Sequence, residues 1–159
     1  MKKKIGHKHL LIRAEIESAP LESPEEEHFL NDTIRNLIHD IGMKVVLKPR
    51  CVYVGEEGNE GYTGQAGLET SHIAYHIWNH PDRYLVTNVE SGLIQMDVYT
   101  CGCLDEEQII KIVHWVDDSF GIRELDLALI NREHTIEGGS IRITGYDSDD
   151  KNIEQFFKG

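Results

Sequence analysis

The sequence predicts an α+β fold, a two-layer sandwich in which an antiparallel sheet carries two helices on one face. Three observations lead to this prediction. Residues 9–16 alternate between apolar and polar side chains, as in a half-buried strand. Two later segments each carry one apolar stripe at helical spacing, so each helix has a single face to bury. The elements follow the order β-α-β-β-β-α-β, with a further short strand in the tail.

The first strand and the first helix have clear local signals. Strand 9–16 directs one set of apolar residues to the same face: Leu10, Ile12, Ala14 and Ile16. Ser23 is the expected N-cap of the helix, Pro24 suits its first turn, and Glu26 completes a capping box. Gly42 is the expected C-terminal stop. The apolar stripe between these ends comprises Leu30, Ile34, Leu37, Ile38 and Ile41.

The remaining elements follow from turn residues and alternation. A strand is expected at about 43–54, and the glycines of residues 55–64 predict a loop. Residues 67–78 and 84–101 are predicted strands, with a hairpin tip at 90–92. Asp105 should cap a second helix that ends at Gly121. Leu125, Leu127 and Leu129 mark another strand, and the tail from 135 predicts a strand at 140–144 and a terminal helical turn.

Composition bounds the possible functions. A chain of 159 residues fits one domain, 1–159. The net charge of −12 disfavours nucleic acid and anionic membranes as partners and suits a cationic small molecule. No apolar run is long enough to span a bilayer, and the N-terminal residues do not form a signal peptide. Three cysteines indicate reduced thiols and a cytoplasmic location.

Three short motifs carry the chemistry. They are GYTG at 61–64, LETSHIAYHIW at 68–78 and DVYTCG at 97–102. Together they resemble the small prokaryotic-type, pyruvoyl-dependent S-adenosylmethionine decarboxylase proenzymes, whose pattern is a glycine-flanked hydroxyl residue, then E-S-H, then I-H-T-W-P-E, and later D-x-F-T-C-G. From Gly61 to Trp78 the register needs no gap, and a weaker resemblance extends over about 110 residues.

The resemblance implies a self-cleaving enzyme. Ser71 Oγ would attack the carbonyl carbon of Thr70, and the resulting ester would be eliminated. After hydrolysis, residues 1–70 would form a β chain, and residues 71–159 would form an α chain that begins with a pyruvoyl group. That cofactor forms a Schiff base with the substrate amine and accepts electrons during decarboxylation. The product would be decarboxylated S-adenosylmethionine, the aminopropyl donor for polyamine biosynthesis.

The resemblance also assigns residue roles. His76 would be the acid/base of processing, and Thr63 would supply a hydroxyl that assists it. Cys101 would donate the proton that quenches the carbanion, because a thiol is mostly protonated at neutral pH. Glu69 and Trp78 are candidate substrate-binding residues. Family members build their active sites between two protomers, so a homodimer is expected, and a dimer would also cover the second face of the sheet.

The chain departs from the family pattern at four places. Thr70 stands where the family has Glu, and Trp78 is followed by Asn-His instead of Pro-Glu. About ten additional residues separate Trp78 from Cys101. The loop 56–60, where the family usually offers an aromatic residue to stack on adenine, reads EEGNE.

These departures leave alternatives open. One is a pyruvoyl-dependent decarboxylase of arginine or ornithine. The other is an unprocessed, non-catalytic relative that binds a nucleoside or a partner protein. A shifted alignment, with cleavage at Glu69–Thr70 and a threonine nucleophile, would break the register of the motifs.

The spacing of the histidines bears on metal binding and on the backbone. His72, His76 and His80 recur every four residues, but on a strand they span about 13 Å, too far for one ion. No metal is therefore expected. Ser71 and His76 differ by an odd number, so an unbroken strand would place them on opposite faces. A bend at Ser71 is therefore predicted.

Overall fold

The computed structural model describes residues 6–133 and the backbone of 137–144. In this part of the chain, seven strands form one sheet in the order β2-β3-β4-β5-β1-β6-β7, and every neighbouring pair is antiparallel. The strands are β1 (Lys8–Ile16), β2 (Val45–Val54), β3 (Gly61–Leu68), β4 (Ser71–Trp78), β5 (Gly92–Thr100), β6 (Ile122–Asn131) and β7 (Glu137–Thr144). The α+β prediction is confirmed.

The two helices begin and end where their capping residues predict. Helix α1 spans Pro24–Asp40, and its first turn is capped by Ser23, whose side chain accepts the Glu26 N–H. The capping box predicted with Glu26 is wrong, because the Ser23 N–H donates to the Tyr62 hydroxyl instead. Helix α2 spans Glu106–Phe120, and Asp105 and Gln108 form a reciprocal capping box at its start. Such caps satisfy backbone N–H groups that have no partner within the helix.

Both helices pack on the same face of the sheet. The predicted stripes of α1 and α2 are buried in one hydrophobic core with alternate residues of the strands. In β1 those residues are Leu10, Ile12, Ala14 and Ile16. The opposite face, called here the open face, carries the intervening side chains. In the described part of the chain no helix covers it.

The loop predicted over 55–64 is wrong in its second half. β3 already begins at Gly61, because its glycines allow close packing and do not form a turn. A Cβ atom at Gly61 would lie 1.7 Å from the Ile77 carbonyl oxygen, and one at Gly64 would lie 2.2 Å from the Tyr75 ring. Glycine therefore lets β3 approach β4, since any larger residue would clash.

Two predicted strands are also shorter than expected. The segment 67–78 is divided between β3 and β4 by a turn at Glu69 and Thr70. The segment 84–101 contains only one strand, β5, which begins at Gly92. Residues 79–91 form no strand, although Leu85, Val86 and Val89 are apolar, because they have no neighbouring strand with which to pair. The strand predicted at 140–144 falls within β7, and the terminal helical turn lies outside the described residues.

Candidate active site

Ser71 is the first residue of β4 and has an unusual backbone. Its φ of 151° makes it the only described non-glycine residue with positive φ. L-residues adopt such angles at a cost of about 1–3 kcal/mol, and the surrounding structure must hold them there. The cost falls on the N–Cα torsion of Ser71, directly after the Thr70–Ser71 peptide bond and next to the turn that joins β3 and β4. The backbone is therefore distorted at Ser71 as predicted, but the strand is not broken there, because Ser71 stays in register with Leu68 and Thr100.

The carbonyl group of Thr70 is held by the neighbouring motif. Its oxygen accepts a hydrogen bond of 2.9 Å from the backbone N–H of Cys101. The Thr100 hydroxyl donates to Thr70 Oγ1 at 3.0 Å and accepts the Gly102 N–H at 2.9 Å. These bonds join the turn to the end of β5. An N–H aimed at a carbonyl oxygen polarises that carbonyl and stabilises negative charge that develops on the oxygen.

Thr63 and His76 form a second group of polar side chains. They are paired in register across β3 and β4, and Thr63 Oγ1 lies 2.5 Å from His76 Nδ1. Burial lowers the pKa of His76 from 6.5, so its imidazole is held in the neutral form. Its buried Nε2 has no hydrogen-bond partner among the described residues. The His76 side chain is therefore available as a base.

The structure does not bring Ser71 and His76 together within one chain. β4 pairs in unbroken register with β3 and with β5 from Ser71 to Trp78. Five residues of strand separate the two by about 16 Å. A hydrogen bond requires about 3 Å. The strained residue Ser71 and the histidine of the Thr63–His76 pair lie towards opposite ends of β4.

A groove on the open face runs beside the Thr63–His76 pair. Its volume is about 810 Å³, and it crosses five strands, from β3 to β6. Two carboxylates line it, Asp97 and Asp126, together with the guanidinium of Arg13. The groove is large enough for a small-molecule ligand.

The two candidate substrate-binding residues lie in different places. Trp78 lies at the far end of β4, where its ring packs on His76 at 4.0 Å between centroids and its Nε1 donates to Asn59. Glu69 is exposed in the turn, 3.8 Å from Lys44. It lines a small cleft of about 270 Å³ that extends to α2 and does not share residues with the groove.

The open face also carries a polar cluster that is not among the residues predicted from the sequence. His72 Nε2 donates to Asp97 Oδ1 at 2.9 Å, and His9 Nε2 lies 3.3 Å from the same oxygen. Tyr99 packs against both imidazole rings, and the Arg132 guanidinium lies over the Tyr99 ring. Alternation places the odd positions of β1 and β5 and the even positions of β4 on one face. This signal identifies the cluster only when the order of the strands in the sheet is also known.

Two further findings concern metals and membranes. Within the described residues, no group of three or more His, Cys, Asp or Glu side chains could hold a metal ion. Neither described helix is both long and apolar enough to cross a membrane.

Known proteins relate this site to a family. A family model described as S-adenosylmethionine decarboxylase matches residues 9–133. The crystal structure of the adenosylmethionine decarboxylase from Aquifex aeolicus VF5 has the same fold, with a TM-score of 0.55 and 20% identity. The match covers 86% of this chain and 98% of the Aquifex chain. No curated protein sequence matches the chain. Because the family model spans most of the sequence, the chain belongs to the S-adenosylmethionine decarboxylase family.

Proposed function

We propose that the protein is a self-processing, pyruvoyl-dependent S-adenosylmethionine decarboxylase. One observation carries the proposal. Ser71 has a strained backbone, and the carbonyl next to it accepts a hydrogen bond from Cys101 N–H. A serine that must attack the preceding carbonyl needs both features. The strain is relieved when the bond breaks, and the N–H stabilises the oxyanion.

Processing uses the chain's own atoms. Ser71 Oγ adds to the Thr70 carbonyl carbon, the C–N bond breaks, and an ester replaces the amide. A base then removes the Ser71 α-proton, and the Cβ–O bond breaks. Thr70 is left with a free carboxylate. Hydrolysis of the dehydroalanine at residue 71 releases ammonia and produces the pyruvoyl group, which supplies an electron sink for decarboxylation.

Thr63 and His76 provide acid/base catalysis of processing from a second copy of the chain. They lie about 16 Å from Ser71 of their own chain. In a symmetric dimer formed through the open faces, the His76 end of one β4 can lie at the Ser71 end of the other. Such an interface uses the same surface of both protomers. The neutral state of His76 suits it to accept a proton.

The open face has the apolar side chains that such a dimer would bury. Leu11, Leu47 and Val52 are 38%, 69% and 54% exposed. Their strand registers place Leu11 opposite Asp97, Val52 opposite Thr63 and Leu47 opposite Gly67, all on this face. Exposed apolar residues that share one face indicate a protein interface.

In decarboxylation, Cys101 is the proposed proton donor. It follows the end of β5 directly, and its own N–H contacts the Thr70 carbonyl. Its side chain is half-buried, and the preceding residue, Thr100, is paired with Ser71, where the reaction would occur. Cys101 thus serves processing through its backbone and turnover through its thiol.

The electrostatics support a cationic substrate. The net charge is −12, and Asp97 and Asp126 line the groove. A sulfonium or an ammonium group is attracted to such a site. We place the enzyme in the cytoplasm, in keeping with its free cysteines.

The mass of the freshly purified protein under denaturing conditions tests this function. We expect two chains that separate between Thr70 and Ser71, the larger one with a blocked N-terminus. Ser71→Ala is the control and should remain intact. A full-length mass that persists on long incubation would contradict self-processing and favour a non-catalytic relative. If the cleaved protein releases CO₂ from arginine or ornithine and not from S-adenosylmethionine, the substrate assignment is wrong.

A further inference from the structure

The segment of residues 79–91, called here the arm, covers one end of the open face. Glu15 and Leu93 lie beneath it, and each is only 1% exposed. The two residues are paired between β1 and β5, and Leu93 is also paired with Trp78 of β4. Leu93 is not part of the core beneath the helices. The arm is therefore packed against the sheet on the side that the helices leave open.

The buried carboxylate of Glu15 holds the backbone of the arm. It accepts hydrogen bonds from the Thr87 N–H at 2.5 Å, from the Thr87 hydroxyl at 3.0 Å and from the Asn88 N–H at 3.3 Å. Arg13 reaches the arm from the same strand and donates to the Leu85 carbonyl oxygen. A buried carboxylate requires such partners, so the arm and Glu15 hold each other in place.

Three apolar side chains of the arm are exposed among polar ones. Tyr84 is 81% exposed, Leu85 is 50% exposed and Val89 is 80% exposed. The hydrogen bonds to Glu15 and Arg13 fix the backbone that carries these side chains. Exposed apolar side chains on a fixed backbone form a surface ready for a partner, since little conformational entropy is lost on binding.

We propose that the arm is a dimer contact, and that the outer residues Tyr84, Leu85 and Val89 pack against a second copy of this chain. The inference rests on the proposed function, which requires the open faces of two copies to meet. The arm follows Trp78 and lies at the His76 end of β4. That end must approach the partner's Ser71. The arm therefore contacts the partner beside its cleavage turn.

A second copy fits the arm better than an unrelated protein. Leu11, Leu47 and Val52 are exposed on the same face, and the proposed dimer would bury them together with the arm. The site itself is incomplete in one chain, because Ser71 and His76 stand at opposite ends of β4. A second copy of the chain would both bury these exposed apolar side chains and complete the site.

Sedimentation equilibrium of the full chain tests the proposal. The double variant Tyr84→Ser/Val89→Ser should raise the dimer dissociation constant by at least about tenfold, since each serine removes apolar surface from the interface. Leu21→Ser is the matched control. Leu21 is 67% exposed but lies beside the helices, so its replacement should leave the constant unchanged. Val89→Arg is a second variant at a site too exposed to disturb folding, and it should weaken the dimer as well.

The results separate this proposal from the proposed function. An unchanged dissociation constant in both arm variants overturns the arm contact, and so does a wild-type protein that stays monomeric at every concentration. Denaturing masses of the same samples report processing. A dimer that needs the arm but keeps an intact Thr70–Ser71 bond would support the contact while refuting the pyruvoyl enzyme. A protein that is cleaved, but whose dimer does not depend on the arm, would support the pyruvoyl enzyme and refute the arm contact.

Discussion

Processing in trans can be tested with two inactive variants. Ser71→Ala removes the nucleophile but keeps the Thr63–His76 pair, and His76→Ala keeps the nucleophile but removes the base. Each homodimer should remain uncleaved. When the two proteins exchange subunits, the mixed dimer has one complete site, made of Ser71 from one chain and His76 from the other.

The expected extent of cleavage follows from the structure. Ser71 and His76 of one chain are about 16 Å apart along β4, whereas proton transfer needs contact at about 3 Å. Only the partner's His76 can then serve Ser71. At equal concentrations, random exchange places about half of the His76→Ala chains in mixed dimers. Every His76→Ala chain in a mixed dimer should be cleaved, which is about half of all His76→Ala chains. No Ser71→Ala chain should be cleaved.

Denaturing mass spectrometry of the mixture gives the result, because the two substitutions give each precursor a different mass. Native mass spectrometry of the same mixture controls for exchange, because the mixed dimer has a mass between those of the two homodimers. If the His76→Ala chains stay intact while the control shows exchange, the partner's histidine does not serve Ser71. Cleavage of isolated His76→Ala protein at the wild-type rate would refute any role of His76 in processing.

Three further outcomes are expected. Cys101→Ala should be cleaved normally, because its backbone N–H remains, yet should lose about 10²–10⁴-fold in turnover; normal CO₂ release would exclude the thiol as proton donor. The processing rate of newly synthesised precursor should rise with pH and reach half of its maximum below the ordinary imidazole pKa of 6.5, because burial lowers the pKa of His76 and only the neutral imidazole accepts a proton; a rate that falls as pH rises would contradict this role. In the Thr100→Val variant the free energy of unfolding, measured with urea, should fall by about 1–3 kcal/mol, because the Gly102 N–H loses its acceptor. This variant should also be cleaved more slowly. Thr100→Ser keeps the hydroxyl and should behave like the wild type; equal loss in both variants would point to packing instead.

Thr70 occupies a position where the family has Glu, and its contacts differ from those a carboxylate would make. A β-branched residue crowds the carbonyl carbon that Ser71 must attack. The Thr100 hydroxyl binds Thr70 Oγ1, and Cys101 N–H binds the carbonyl oxygen, so both groups of Thr70 have fixed partners. Under the proposed mechanism, processing would depend on hydroxyl contacts at the turn, and we expect Thr70→Val to slow it more than Thr70→Ser does.

Short-range physics made much of the fold predictable. Ser23 and Asp105 predicted the starts of both helices, because a capping side chain acts within three residues of itself. Alternation in β1 identified the buried face for the same local reason. The glycines of β3 were misleading, since the sequence does not show whether a glycine serves a turn or a close contact with Tyr75 on another strand.

The sequence by itself determined the helices, the buried face of β1, the motif residues and the family resemblance, because these depend on neighbours along the chain. The tertiary structure decided three other features: the hydrogen bond from Cys101 to Thr70, the separation of Ser71 from His76, and the burial of Glu15 beneath the arm. Each depends on strand register or on contacts between residues distant in sequence. Such contacts follow from the packing of the whole sheet, and a local pattern cannot specify them.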